Sequence, residues 1–184
     1  MIQTTLGALT GSADRGIESF KGIPYGADTS DENRFLPPRP AEPWSGVRAA
    51  IAFGADAVQT RGARPKAGAT TNNFDLPPSE DCLSLNVWTP AADSPARPVM
   101  VWLHGGGFYS GSGSGTMYDG ANLARRGDVV VVSINHRLGA LGFLHLAYLT
   151  DAPEAVNVGM LDIVLALEWV RDNIAAFGGD AHNV

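Results

Sequence analysis

The 184-residue sequence predicts an α/β fold, and three observations carry that prediction. Residues 99–103 (Val-Met-Val-Trp-Leu) and 129–134 (Val-Val-Val-Val-Ser-Ile) are almost unbroken apolar runs, as expected of strands covered on both faces in a mixed or parallel sheet. Residues 83–89 alternate apolar and polar, as a half-buried strand does. Met160, Ile163, Leu167, Val170, Ile174 and Phe177 recur at three- and four-residue intervals, an amphipathic helical stripe. Strand, short helix, strand, long helix is the order of an α/β sandwich.

Taken in order, residues 1–60 are broken by Gly7, Gly11, Gly16, Gly22, Pro24 and the run Pro37-Pro38-Arg39-Pro40. Short strands, including an N-terminal β-hairpin region, fit between these breaks, and no long helix does. Residues 61–80 are polar and unperiodic and read as a surface loop. Residues 121–126 form a short helix stopped at Gly127. The long helix over 160–177 ends at Gly178-Gly179, where a left-handed cap is expected. Val184 is placed to begin a further strand.

Composition narrows the function. The chain is 45% hydrophobic and long enough to bury a core, which excludes disorder. Thirteen Lys and Arg against nineteen Asp and Glu leave a net charge of −6, which argues against nucleic acid or an anionic membrane surface as partner. The single cysteine, Cys82, excludes an intramolecular disulfide and a multi-cysteine zinc site. Neither a metal nor a cofactor is expected: the four histidines offer no i, i+4 ligand pair. No apolar stretch reaches the roughly 18 residues of a membrane span. The first residues lack a basic segment followed by an apolar run, so a cytoplasmic protein is expected.

The chemistry concentrates in His104-Gly105-Gly106-Gly107-Phe108-Tyr109-Ser110-Gly111, directly after the apolar run ending at Leu103. Consecutive glycines turn freely and leave backbone N–H groups unshielded, so they can hold an anionic oxygen. A dinucleotide fingerprint starting at Gly105 would need glycine at Ser110, and one starting at Gly111 would need it at Thr116. A Walker-type phosphate loop would need a lysine that is absent. An oxyanion hole of the HGGG type, in the loop after a sheet strand, fits. The bland alternative, a flexible turn, does not require a histidine after a buried strand.

With these motifs in order, the chain resembles the N-terminal part of a type B carboxylesterase, an α/β-hydrolase family that includes cholinesterases and para-nitrobenzyl esterases. The resemblance rests on residues 20–25 (Phe-Lys-Gly-Ile-Pro-Tyr), on Arg34-Phe35 and on residues 44–47 (Trp-Ser-Gly-Val). It continues through residues 80–87 (Glu-Asp-Cys-Leu-Ser-Leu-Asn-Val), 135–144 and 157–162. Residues 169–174 and 177–180 complete it. The resemblance implies an α/β-hydrolase fold whose central sheet is mostly parallel, with 1–184 as the N-terminal part of one catalytic domain. It implies ester hydrolysis through a serine acyl-enzyme, with a small-molecule ester as substrate. Gly106 and Gly107 would supply oxyanion donors. His104, Gly105, Phe108 and Tyr109 would line the substrate pocket, with His104 supporting the loop from behind. Arg34 with Glu80 and Arg137 with Asp162 match structural ion pairs of the family.

Two departures accompany the resemblance. The G-x-S-x-G nucleophile elbow is absent and is expected beyond Val184, followed by the acid and the histidine. None of Ser79, Ser84, Ser94, Ser110, Ser112, Ser114 or Ser133 stands in an elbow, and none of His104, His136, His145 or His182 matches the catalytic histidine. The remainder of the same enzyme is therefore an expected partner. Where many relatives carry a cysteine to pair with Cys82, this chain has Ala57, so Cys82 is expected to be a free, buried thiol. The competing functions are a catalytically inactive cholinesterase-like binding or adhesion module, and a nucleotide-binding α/β protein weakened by the broken fingerprints.

Overall fold

The computed structural model of the chain describes residues 1–60, 76–90, 96–148 and 156–184. The first strands are short because turns interrupt them. β1 (Ile2–Gln3) pairs antiparallel with β2 (Ala8–Thr10), Ile2 opposite Leu9. β3 (Ser12–Asp14) and β4 (Ile17–Pro24) form a hairpin whose two-residue connection, Arg15-Gly16, has both φ angles positive. That backbone twist matches the twist of paired strands. β5 (Val47–Ala49) joins β2 in parallel, and β6 (Asp56–Ala57) pairs in parallel with β7 (Pro78–Ser79). Of the expected 61–80 loop, residues 61–75 lie outside the described residues, and Pro78–Ser79 is a strand.

The main sheet follows. β8 (Ser84–Pro90), β9 (Val99–Leu103) and β10 (Val130–Ile134) join β3 and β4 in the order β3-β4-β8-β10-β9. The sheet is mixed: β4–β8 and β8–β10 are antiparallel, and parallel pairing starts at β10–β9. α1 (Ala121–Gly127) lies in the crossover between β9 and β10. Its left-handed cap falls on Asp128, one residue beyond the glycine expected to stop it. α2 (Gly139–Phe143), a helix the sequence pattern does not announce, follows β10, and α3 (Val158–Asn173) runs into a 3-10 turn at Ile174–Phe177. Gly178 then takes the left-handed conformation (φ 80°), and the Gly179 N–H donates to the Ile174 carbonyl at 3.0 Å.

Two helical layers cover the sheet. Val87, Val130 and Val132 share a core with Ile163, Ala166, Trp169 and Val170 of α3. On the opposite face Trp88 and Val131 pack with Ile17 and Ala124 of α1. Val87 and Trp88 thus serve different cores because successive strand residues alternate. Each fully buried Val, Ile or Leu side chain contributes about 1.5–3 kcal/mol relative to exposure.

β10 is buried at every position, as a central strand should be, but β9 is an edge among the described strands. Met100, Trp102 and Leu103 are 46%, 47% and 46% exposed. An apolar run records that a strand is to be covered, not by which segment. The expected helical stripe needs correction at two of its positions, since Ile174 and Phe177 at its end are fully buried. Ile163 and Val170 are buried, whereas Met160 and Leu167 are exposed, and the buried face includes Gly159, Asp162 and Asn173. Polar residues enter that face because each is paired: Asp162 with Arg137, and Asn173 with the Thr5 N–H and the Trp169 carbonyl. Beyond α3 the chain runs beside β9's approach: the Arg97 N–H donates to the Gly178 carbonyl, and the Val99 N–H to the Asn183 carbonyl. Among the described residues no helix is long and apolar enough to cross a membrane.

Candidate active site

The loop after β9 has a backbone that only glycine tolerates at its turning point. Gly106 adopts φ +127°, and a Cβ there would collide with the Ser110 carbonyl oxygen. Gly107 (φ +61°) and Phe108 (φ +62°) continue in the left-handed region. The Gly106 carbonyl closes the turn by accepting from the Tyr109 and Ser110 N–H groups, each at 3.2 Å. Among the described residues neither the Gly106 nor the Gly107 N–H has an acceptor, and both glycines are exposed. Adjacent unsatisfied backbone donors can hold a negatively charged oxygen.

His104 sits behind this loop, not on its open side. Its ring stacks on that of His136, centroids 4.9 Å apart and planes 6° from parallel. Its Nδ1 lies 3.0 Å from the Gly105 carbonyl, while its buried Nε2 meets no partner among the described residues. Burial pushes both imidazoles below the usual histidine range, so both are neutral at neutral pH. His136 Nδ1 is 2.9 Å from the Arg137 carbonyl. Phe108 leans on this pair: its ring is 6.3 Å from that of His136 and 5.0 Å from that of Phe143 in α2, and it keeps half its surface exposed. The Phe108 carbonyl also accepts from the Gly139 N–H at 2.8 Å, tying the loop to the start of α2. Tyr109 is exposed.

The loop's exit is held by polar side chains that sequence reasoning did not find. Gln59 bonds both the N–H and the carbonyl of Gly111, at 2.8 and 2.9 Å. Asn135 Oδ1 accepts from the Gly113 N–H at 2.7 Å, and the Ser133 hydroxyl donates to the Gly113 carbonyl at 2.8 Å. The Ser114 hydroxyl donates to Asp56 at 3.0 Å and lies 2.6 Å from that of Ser112. Asn135 directly precedes the histidine of the stack, and that adjacency is the one sequence signal for it.

The ion pairs differ in setting. Arg137 and Asp162 are buried and bidentate: Nη2 to Oδ1 at 2.7 Å and Nε to Oδ2 at 2.9 Å. Asp162 also accepts from the Arg137 N–H at 3.0 Å, and a further guanidinium nitrogen reaches the Leu36 carbonyl at 2.8 Å. Arg34 and Glu80 are bidentate too, at 2.5 and 2.6 Å, with the guanidinium in solvent. Cys82 is free and buried, and burial raises its thiol pKa far above the usual range, which withholds the thiolate.

Among the described residues no group of three or more His, Cys, Asp or Glu is placed to hold a metal ion. A cleft of about 470 Å³ lies against Gly22, Pro24, Asp28, Arg48, Asp81 and Ser84, and none of residues 104–111 lines it. The glycine loop opens on solvent instead.

Known proteins share the sequence pattern and the fold of this chain. The sequence model of the carboxylesterase family matches residues 1–184. The para-nitrobenzyl esterase of Bacillus subtilis (strain 168) is 44% identical over 185 residues, covering 100% of this chain and 37% of the relative. The phenmedipham hydrolase of Pseudarthrobacter oxydans is 45% identical over 183 residues, covering 98% of this chain and 35% of the relative. The crystal structure of a Geobacillus stearothermophilus carboxylesterase superposes with a TM-score of 0.85 at 48% identity, covering 97% of this chain and 35% of that one. The chain therefore spans about a third of the length of the relatives it matches.

Proposed function

The chain belongs to the carboxylesterase family and has the α/β-hydrolase fold, and from that premise we propose that it supplies the oxyanion-hole half of a serine esterase site. The observation that carries the reading is the pair of unpaired, exposed N–H groups on Gly106 and Gly107.

In this reading 1–184 is the N-terminal part of one catalytic domain, and the nucleophilic serine, the acid and the catalytic histidine lie in sequence that follows Val184. That sequence covers the edge of β9 and the outer face of α3. The serine Oγ attacks the carbonyl carbon of a small-molecule ester as the histidine takes its proton, and the carbonyl electron pair moves onto oxygen. The Gly106 and Gly107 N–H groups, with the N–H after the serine, hold that oxyanion. Collapse expels the alcohol, which takes the proton from the imidazolium. Water repeats the sequence on the acyl-enzyme and releases the carboxylic acid. Phe108, half-exposed beside the donors, offers the substrate an apolar contact, and no cofactor is needed.

The test uses the full-length protein. It should hydrolyse para-nitrophenyl acetate, and a fluorophosphonate should block turnover by labelling one serine outside residues 1–184. A folded protein that neither turns over ester nor takes the label would instead be an inactive binding module of the same fold.

A further inference from the structure

We infer that Gln59 is the positioning residue of the oxyanion loop, an inference that rests on the esterase reading above. Gln59 lies 52 residues before the glycine it holds. Its Nε2 donates to the Gly111 carbonyl at 2.9 Å, and its Oε1 accepts from the Gly111 N–H at 2.8 Å. A carboxamide presents a donor and an acceptor side by side, so one planar head closes a ring with both polar groups of one residue. A third contact, from Nε2 to the Ala57 carbonyl at 3.1 Å, fixes which way the amide faces.

What Gln59 holds is the hinge of the loop. Gly111 takes φ +119°, packed so closely on the Gly105 carbonyl and the His104 ring that no Cβ fits. Its neighbour Ser110 places the carbonyl against which Gly106 packs, and the Ser110 N–H donates to Gly106. A shift of Gly111 therefore displaces Gly105 and Gly106 from both sides. Further along, Gly113 is held by Asn135 and Ser133, and Ser114 by Asp56. Those anchors survive the loss of Gln59, so its removal loosens the donors without dismantling the fold. A catalytic group misplaced by an ångström can cost about a hundredfold in rate.

The test compares two variants with wild type in the full-length enzyme, on para-nitrophenyl acetate. Gln59→Leu keeps the bulk and loses the ring of bonds. It should lower kcat by about ten- to a hundredfold with KM little changed, because the donors act on the transition state. Gln59→Glu is isosteric but, when ionised, faces the Gly111 carbonyl with an oxygen. Protonation restores an O–H donor there, so the ratio of its kcat to that of wild type should rise as pH falls. A role in packing alone would not give that pH dependence. Wild-type kcat in Gln59→Leu, or a flat ratio in Gln59→Glu, overturns the assignment; if the leucine variant does not fold, the glutamate ratio decides. An inactive but folded wild type sinks the esterase reading itself, and the assignment with it.

Discussion

The rings of His104 and His136 stack 4.9 Å apart and nearly parallel beneath the glycine loop. Such contact suits two neutral imidazoles, because a proton on either would place a charge in a buried site. Burial is the largest influence on both and lowers both pKa values, outweighing the nearby carboxylates of Asp56 and Asp162. The unfolded chain takes up protons as pH falls through about 6.5, while the folded rings do so only at lower pH. Between those values the unfolded state binds more protons, so stability is full above about pH 6.5 and is lost below it. The urea midpoint of the full-length protein should fall as pH is lowered through that range. His136→Phe, which keeps a ring in the stack, should make the decline shallower; an unchanged decline would remove His136 from it.

A second expectation concerns Gly106. A methyl group there meets the Ser110 carbonyl oxygen at a φ that side chains rarely adopt. Gly106→Ala in the full-length protein should therefore turn its N–H away. Under the proposed esterase function, loss of one oxyanion donor costs about 2.7–4 kcal/mol of transition-state stabilisation, or roughly a hundred- to a thousandfold in kcat. KM should change little. A variant with normal kcat would place the oxyanion elsewhere.

These two positions differ in how far the sequence announces them. The run of glycines after Leu103 is legible because its chemistry is local: three adjacent residues turn together. The His104–His136 stack, the Gln59 clamp and the Asp56–Ser114 bond join residues 32, 52 and 58 positions apart, and nothing but the fold brings them together. β10 is legible as a buried strand because its valines leave it no polar face. β9 shows the limit of that argument, since its apolar run does not say that its outer neighbour is missing among the described strands. α3 shows another limit. Met160, Leu161, Val164 and Leu167 line its outer face, so apolar residues circle much of the helix and the periodicity does not single out the buried side.

The buried Arg137–Asp162 pair and the Arg34–Glu80 pair should respond unequally to deletion. Asp162→Asn strands a guanidinium that is 3% exposed, and breaking such a pair typically costs about 3–5 kcal/mol. Replacing both Arg137 and Asp162 with apolar residues should cost less than the single change, since no lone charge remains. Arg34→Ala removes a charge already in solvent, and its effect should be far smaller. Denaturant titrations of the four proteins would settle the order, and an Asp162→Asn no less stable than Arg34→Ala would refute it.

The last prediction concerns residues 1–184 expressed alone. Beyond Val99, whose N–H is taken by the Asn183 carbonyl, β9 presents the backbone groups of an edge strand together with half-exposed Met100, Trp102 and Leu103. The outer face of α3 adds Met160, Leu161, Val164 and Leu167. A flat apolar edge recruits further strands, and exposed apolar surface recruits further copies. A net charge of −6 opposes this only weakly, because salt screens it beyond about 8–10 Å. The isolated polypeptide should therefore bind an apolar dye, self-associate with rising concentration and leave para-nitrophenyl acetate unhydrolysed above background. Met100→Lys, a charge on the open strand, should reduce the association, as lysine does on natural sheet edges. A monomer that melts cooperatively, binds no dye and turns over the ester would mean that this surface needs no cover and that the site needs no further chain.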